Sequence, residues 1–168
     1  MNKMKEISLE KVNLNIGVGA PGDKLEKAMK LLSTISGEKP IQTKATGRIP
    51  TWGLRPGLPI ATKVTLRKKK AKELLVRLLN AVNKTLKASN FDNEGNFSFG
   101  VKEYLDIPDV EYDADVGIIG LEVAVTLKRP GFRIKRRTLR KRKIPRRHRI
   151  SKEEAIEYVK REFEVNVE

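Results

Sequence analysis

The sequence contains no cysteine, and this absence excludes several kinds of site at once. Disulfide bonds, cysteine-ligated zinc, iron–sulfur clusters and thiol nucleophiles all require cysteine. Histidine is nearly absent too, because His148 is the single one, so a metal site built from several histidines is excluded. No catalytic constellation and no metal-ligand spacing occurs. We therefore predict a protein that is not an enzyme and that uses neither a metal nor a cofactor.

Aromatic residues and long apolar runs are also scarce. Aromatic side chains make up 5% of the chain, which leaves few rings to stack on unpaired bases. No stretch approaches the roughly 20 apolar residues of a membrane-spanning helix, and no apolar run follows the basic N-terminal residues. We expect a soluble, cytoplasmic protein with no membrane partner.

Charge is abundant and unevenly distributed. The 168 residues include 36 Lys or Arg and 21 Asp or Glu, for a net charge of +15. Residues 128–149 contain 13 basic residues and residues 39–72 contain 10, with no acidic residue in either range, whereas residues 92–115 contain eight acids and one lysine. A basic chain this short favours a polyanionic partner, above all nucleic acid, and the acidic range suits a basic protein.

Alternation of apolar and polar residues predicts about five strands. They lie in residues 11–18, 41–46, 60–67, 97–101 and 121–127. Because the strands alternate instead of being apolar throughout, we predict an α+β fold. It is a two-layer sandwich with a largely antiparallel sheet, helices on one face, and basic and acidic extensions. The length suits one domain over residues 1–168.

Apolar stripes at helical spacing predict three amphipathic helices. The first opens at Asp23, with Glu26 at capping-box spacing, and stops at Gly37. The second covers residues 68–89. The third covers residues 151–164 and begins with a capping box formed by Ser151 and Glu154.

The uncovered face of the predicted sheet is polar along three strands. For any single residue, an ordinary solvated face is the simpler explanation. The repetition of polar residues along three strands of a basic protein favours a surface that binds structured RNA through shape, phosphate and 2′-hydroxyl groups. The residues placed there are Asn13, Asn15, Gln42, Lys44, Lys63, Thr65 and Arg67.

Three segments lie outside the predicted sandwich. Residues 46–59 are too rich in proline and glycine for regular structure and form an exposed, mobile loop. Residues 102–115 form an acidic arm. Residues 128–149 form a basic segment whose self-repulsion means that a bound polyanion mainly orders it. His148 is then an RNA contact rather than a catalyst.

Two other functions remain open on the residues alone. Residues 17–22 match G-x-G-x-x-G between a strand and a helix, so an enzyme that binds NAD or ATP is one alternative, although no acid ends the next strand. A condensing protein of chromatin type, bound by charge alone, is the other. It predicts equal binding to any RNA or duplex DNA.

Five segments, in order, resemble the universal ribosomal protein family that binds 5S RNA, large-subunit protein five, in its archaeal-type branch. They are KVNLNIGVG (11–19), ISGEKPIQTKA (35–45), GLRPGLPIATKVTLR (53–67), NFSFGVKEYLDIPDVEY (96–112) and KIPRRHRISKEEA (143–155). The resemblance implies a structural constituent of the large ribosomal subunit that supports translation and anchors 5S RNA in the central protuberance. Asn15, Thr65 and Arg67 match family positions that contact 5S RNA, with Lys44 nearby, and Asn13 and Lys63 join them from the polar sheet face.

The resemblance also implies partners for the other segments. The loop matches one that reaches tRNA in the peptidyl site, with Arg48, Thr51, Trp52 and Arg55 as candidate contacts. The acidic arm matches one that meets small-subunit protein thirteen in an inter-subunit bridge, near other central-protuberance proteins. Its candidates are Glu103, Asp106, Asp109 and Glu111. The charge of the basic segment, rather than the resemblance, predicts contacts to other ribosomal RNA, that is, to the large-subunit RNA, from Arg133, Arg136, Arg137, Arg140, Arg142, Arg146, Arg147 and Arg149.

Overall fold

The computed structural model describes residues 2–168 and is built around one large sheet. In chain order the strands are β1 (Ser8–Gly17), β2 (Ile41–Lys44), β3 (Pro59–Leu66), β4 (Thr85–Leu86), β5 (Phe97–Val101), β6 (Leu121–Lys128) and β7 (Asn166–Val167). Five of them form an antiparallel sheet in the order β2-β3-β1-β6-β5. Strands β4 and β7 pair in parallel as a separate small sheet that the alternation pattern did not predict.

Three helices cover one face of the large sheet: α1 (Asp23–Ser36), α2 (Lys68–Ala81) and α4 (Lys152–Phe163). The short helix α3 (Arg133–Arg136) lies in the basic segment. Buried residues of α1, α2 and α4 form one hydrophobic cluster with buried residues of the sheet. The predicted α+β two-layer sandwich is therefore confirmed.

Strand β1 joins the two halves of the chain. It pairs with β3 on one side and with β6 on the other. Val12, Leu14 and Ile16 are buried against the helices, while Asn13 and Asn15 point to the opposite face. The alternation of the sequence thus sorts β1 into an apolar face for the core and a polar face for a partner.

The helix ends agree only in part with the capping signals. Gly37 adopts a left-handed conformation at the end of α1, and Ser151 and Glu154 form the reciprocal capping box of α4, so both predictions are confirmed. The capping box assigned to Asp23 and Glu26 is wrong. Asp23 is already the first helical residue, and Gly22 before it has no side chain with which to cap.

Helix α2 is shorter than its apolar stripe predicts. It ends at Ala81, and Asn83 and Lys84 then take left-handed backbone conformations with φ of 54° and 51°. The chain turns and enters β4, where Leu86 is buried in the core. The apolar stripe extends past the end of α2 because Leu86 of the following strand, β4, packs into the same core.

One core position is polar, and its replacement should stabilise the fold. Thr62 on β3 is fully buried, and its hydroxyl has no hydrogen-bond partner within residues 2–168. We expect Thr62→Val to raise the free energy of unfolding by about 1 kcal/mol, because an unpaired buried hydroxyl is costly. Urea denaturation followed by circular dichroism measures this. Thr65→Val is the matched control and should give no such gain, because the Thr65 hydroxyl is exposed and hydrogen-bonded.

Candidate nucleic-acid-binding surface

The polar face predicted for β1 and β3 exists and is held in place by hydrogen bonds. Asn13 lies opposite Thr65, and Asn15 lies opposite Lys63. The Thr65 hydroxyl donates to Asn13 Oδ1 at 2.8 Å, and Asn15 Nδ2 donates to Glu122 Oε2 on β6 at 3.1 Å. These side chains therefore have defined orientations, which a surface needs to distinguish one RNA from another.

The contribution predicted from β2 is partly wrong. Ile41 is paired with Lys63 and Thr43 with Ala61, so Ile41 and Thr43 share the open face. Gln42 points the other way, and its amide lies 3.3 Å from the Met29 sulfur on α1. Ile41, at an edge strand, is 65% exposed, so the face includes one large apolar side chain. Burial does not constrain an edge strand strongly, and the alternation pattern predicted its opposite phase.

Arg67 ends the polar face and begins a cluster of cations within the basic range 39–72, and the lysines of this cluster are not among the predicted contacts. It immediately precedes α2, whose first residues Lys68, Lys69 and Lys70 are all exposed. Cations at a helix N-terminus oppose the helix dipole, so the cluster gains most when an anion is nearby. A hydrogen bond from Lys70 to Glu38, 2.5 Å long, raises the pKa of the Lys70 ammonium. Lys44 is also exposed and follows a register shift between β2 and β3.

The loop of residues 46–59 has more regular structure than its composition predicts. Ile49 and Leu54 form a two-way backbone bridge around the short turn Pro50–Trp52. Leu54 is buried, and its side chain gives the loop an anchor. The candidate contacts Arg48, Thr51, Trp52 and Arg55 are all exposed, Trp52 by 73%.

The acidic arm is anchored rather than free. Tyr104 and Ile107 are buried, and the Tyr104 hydroxyl accepts a hydrogen bond from the Asp113 backbone at 3.0 Å. Lys30 on α1 contacts the Asp113 carboxylate at 2.7 Å, which raises the pKa of Lys30 and lowers that of Asp113. The four bridge candidates remain exposed: Glu103, Asp106, Asp109 and Glu111.

The basic segment packs against the body of the protein, whereas its charge predicts that a bound polyanion mainly orders it. Ile144 and Ile150 at its end are buried. Arg129, only 4% exposed, donates to the Lys5 carbonyl at 3.1 Å and the Arg149 carbonyl at 2.8 Å. It also donates to the Glu154 carboxylate at 2.6 Å. Self-repulsion does not expel the segment, because acids from distant parts of the chain pair with some of its cations.

Two further carboxylates hold the basic segment beside the sheet. Glu94 contacts Lys135 at 3.2 Å and Arg149 at 3.6 Å, and Glu10 contacts Arg136 at 2.5 Å. An open groove of about 910 Å³ lies between the segment and the end of the sheet. Its lining includes these ion pairs as well as Lys11, Thr126, Phe132 and Arg142.

The structure brings together only part of the predicted arginine set. All eight arginines are exposed, but Arg136, Arg142 and Arg149 are the ones that line the groove. A ring nitrogen of His148 is engaged by the Pro130 carbonyl at 2.8 Å, and its ring meets Phe132 edge to face. The remaining arginines lie outside the groove: Arg133, Arg137, Arg140, Arg146 and Arg147.

Two other kinds of site are absent from residues 2–168. No group of three or more metal-ligating side chains comes together in this part of the chain. None of its helices combines the length and the apolar character needed to cross a membrane.

Comparison with known proteins relates the chain to one family along its whole length. Residues 2–55 match the model of ribosomal protein L5, and residues 59–158 match the model of the C-terminus of the same ribosomal protein family. Three similar proteins are each named large ribosomal subunit protein uL5. The one from Sulfurisphaera tokodaii is 51% identical over 99% of this chain and 95% of its own length. Those from Nanoarchaeum equitans and Methanosphaera stadtmanae are 50% and 46% identical, over 98% and 100% of this chain and 97% and 100% of their own lengths.

Proposed function

The chain belongs to the ribosomal protein L5 family, and from this premise we propose that it binds 5S ribosomal RNA and anchors it in the central protuberance. As a family member of archaeal type, it is a non-enzymatic, structural constituent of the large ribosomal subunit in the cytoplasm. Ribosomal RNA is accordingly among its partners. Its contribution to translation is architectural.

The polar open face carries the proposal for 5S RNA. Asn13, Asn15 and Thr65 offer amide and hydroxyl groups whose orientations are set by hydrogen bonds, next to the cations Lys63 and Arg67. Fixed polar groups can match the 2′-hydroxyl and base-edge pattern of folded RNA, while the cations bind phosphate. Because oriented groups lose little freedom on binding, this face supports selectivity in addition to affinity. Lys44 extends the same proposal toward β2.

The basic segment is proposed to contact the large-subunit RNA. Its eight candidate arginines are exposed, and each phosphate that they neutralise releases a condensed counterion. Ion pairs from Arg129 to Glu154 and from Lys135 to Glu94 hold the segment in place, so it presents these cations from a supported surface rather than from a free tail. This arrangement favours one bound geometry of the RNA.

The loop of residues 46–59 is proposed to contact tRNA in the peptidyl site. Trp52 is 73% exposed, and a ring in the open can stack on a base or ribose of the tRNA. Arg48 and Arg55 flank it and can bind tRNA phosphates, while the Thr51 hydroxyl is a further candidate contact. We keep the prediction that the loop is mobile. Motion about the Leu54 anchor would let it follow the tRNA.

The acidic arm is proposed to meet small-subunit protein thirteen and to lie near neighbouring proteins of the central protuberance. Its four exposed carboxylates suit a basic protein, and the buried side chains of Tyr104 and Ile107 fix where those carboxylates stand.

The test is a competition titration on 5S RNA, with tRNA and a random RNA duplex as competitors, at several salt concentrations. We expect 5S RNA to remain the preferred ligand when salt has suppressed nonspecific binding. Arg67→Ala should weaken 5S binding about tenfold and duplex binding only a fewfold, because Arg67 ends the polar face.

The matched control is Arg161→Ala, which removes the same charge from the exposed side of α4. Arg161 forms no ion pair in the described part of the chain. The control variant should keep the preference for 5S RNA. Equal competition by all three RNAs, with binding lost together as salt rises, would show attachment by charge alone and would overturn the 5S assignment.

A further inference from the structure

An acidic residue lies at the point where the polar sheet face meets the basic segment. Glu10 sits at a register shift in the pairing of β1 with β6, between Leu9 and Lys11. Its side chain is only 9% exposed. One carboxylate oxygen is 3.8 Å from Arg67 Nη1, and the other is 2.5 Å from Arg136 Nη2. A nearly buried carboxylate is thus shared by two arginines from distant parts of the chain.

We propose that Glu10 is a positioning residue that joins the sheet face and the basic segment into one continuous RNA-binding surface. Arg67 and Arg136 then contact neighbouring phosphates of the same RNA, the 5S RNA. The candidate contacts above place these two arginines on different RNAs, and the shared carboxylate revises that division. The inference rests on the proposed 5S binding.

Both arginines keep donors available for RNA. A guanidinium group has five N–H donors, and a single carboxylate oxygen occupies only one or two of them. The side chains of Arg67 and Arg136 are 55% and 49% exposed, so their remaining donors reach solvent. Glu10 therefore orients the two guanidinium groups without using up their capacity to bind phosphate.

The charge balance of the cluster favours an RNA ligand. Two arginines and one carboxylate leave a net positive charge, concentrated on one small area. Because Glu10 is nearly buried, an incoming phosphate meets the exposed guanidinium groups and does not have to displace the carboxylate. Preorganised side chains of this kind lose less freedom when the ligand binds.

The separation of the two guanidinium groups indicates one RNA rather than two. Arg136 hydrogen-bonds the Glu10 carboxylate and Arg67 lies 3.8 Å from it, so both groups lie in one small patch of surface. Two separate RNA helices that converged on this patch would bring their phosphate charges together and repel each other. Neighbouring phosphates of one strand are already held close together by their backbone, so binding both guanidinium groups adds no such repulsion.

The first experiment measures the affinity of Glu10→Gln for 5S RNA and for a random RNA duplex. Glutamine keeps the shape but removes the charge that holds both arginines. We expect about tenfold weaker 5S binding, although the protein gains one positive charge, with duplex binding unchanged or stronger. Glu157→Gln gives the same gain of charge on the exposed side of α4 and should leave 5S binding unchanged or slightly stronger. Circular dichroism melting checks that both variants are folded.

A second measurement does not depend on Glu10→Gln remaining folded. A double-mutant cycle with Arg67→Ala, Arg136→Ala and the double variant reports whether the two arginines act on one ligand. We expect each single variant to weaken 5S binding, and the double variant to differ from the product of the two effects by about fivefold or more. Arg161→Ala combined with Arg67→Ala should give independent effects.

Each outcome distinguishes this inference from the function on which it rests. If the unaltered protein shows no preference for 5S RNA, the proposed function fails first. If the preference is present but Arg136→Ala leaves 5S binding unchanged, Arg136 belongs to another RNA and the joined surface is refuted. Stronger 5S binding by Glu10→Gln would show that the carboxylate competes with RNA instead of positioning the arginines.

Discussion

Replacing Arg129 with alanine should lower the free energy of unfolding by about 3 kcal/mol, because it removes a buried guanidinium group together with its hydrogen bonds to two carbonyls and to the half-exposed Glu154 carboxylate. Arg129 is 4% exposed, and its guanidinium group connects three parts of the chain. It donates to the backbone before β1 at Lys5, to the end of the basic segment at Arg149, and to Glu154 in the first turn of α4. Urea denaturation followed by circular dichroism measures the loss.

The matched control for this prediction is Arg133→Ala. It removes the same charge from the same basic segment, but Arg133 is exposed, and its side chain makes no hydrogen bond or ion pair within the described residues. We expect the free energy of unfolding of the control to be nearly unchanged. Equal losses in the two variants would mean that overall charge, and not the buried contacts, determines the stability of this region.

The ion pair between Arg129 and Glu154 also makes the stability of the protein depend on pH. Partial burial acts to raise the pKa of Glu154, but hydrogen bonds from the Ser151 backbone and from Arg129 outweigh it and hold that pKa below its usual 4.5. The stabilisation is therefore fully present above pH 4.5 and is lost as the pH falls through the folded-state pKa. In Arg129→Ala the loss of stability between neutral pH and acid should be smaller than in the unaltered protein. Denaturation at several pH values tests this.

Neutralising the acidic arm should weaken binding to small-subunit protein thirteen about 100-fold, if the proposed bridge is correct. The variant replaces Glu103 and Glu111 with glutamine, and Asp106 and Asp109 with asparagine. All four side chains are exposed, whereas the arm is anchored by Tyr104 and Ile107 in the core, so the fold should persist. Asparagine also tolerates the left-handed backbone at Asp109. A binding titration with the purified partner measures the change.

A control with the same change of charge separates the arm from the rest of the surface. Neutralising four exposed acids on α1 and α4 should leave the affinity for the partner within about threefold, because long-range attraction is screened by salt. These acids are Asp23, Glu26, Glu153 and Glu157. Comparable losses in both variants would assign the attraction to net charge and would contradict a specific bridge at the arm.

Several elements follow directly from local patterns in the sequence. The alternation around Val12 and Asn13 predicts which face of β1 is buried, since a strand with one apolar face can stabilise the fold in only one orientation. Gly37 ends α1 and Ser151 begins α4 because the local conformations that they favour satisfy the helix ends. The zoning of charge into a basic segment and an acidic arm can also be read from the chain, because it depends only on which residues are neighbours in the sequence.

The predictions that are wrong concern positions whose structure depends on residues far apart in the chain. Ile41 lies on the open face because β2 is an edge strand whose phase depends on its pairing with β3. The stripe of α2 continues into Leu86 because a turn redirects the chain into the same core. No local pattern distinguishes a residue in the last turn of a helix from one that reaches the core after a turn.

By itself, the sequence determined the class of partner and the fold class, because composition, charge zoning and periodicity are properties of short segments. The tertiary structure alone decided that the basic segment is packed, and that Glu10 connects Arg67 to Arg136. Electrostatic energy depends on distance in space, and residues 10, 67 and 136 approach one another only after β1, β3 and the segment after β6 have assembled. The charges could be counted along the chain, but only folding determined which of them neutralise one another and which remain available to RNA.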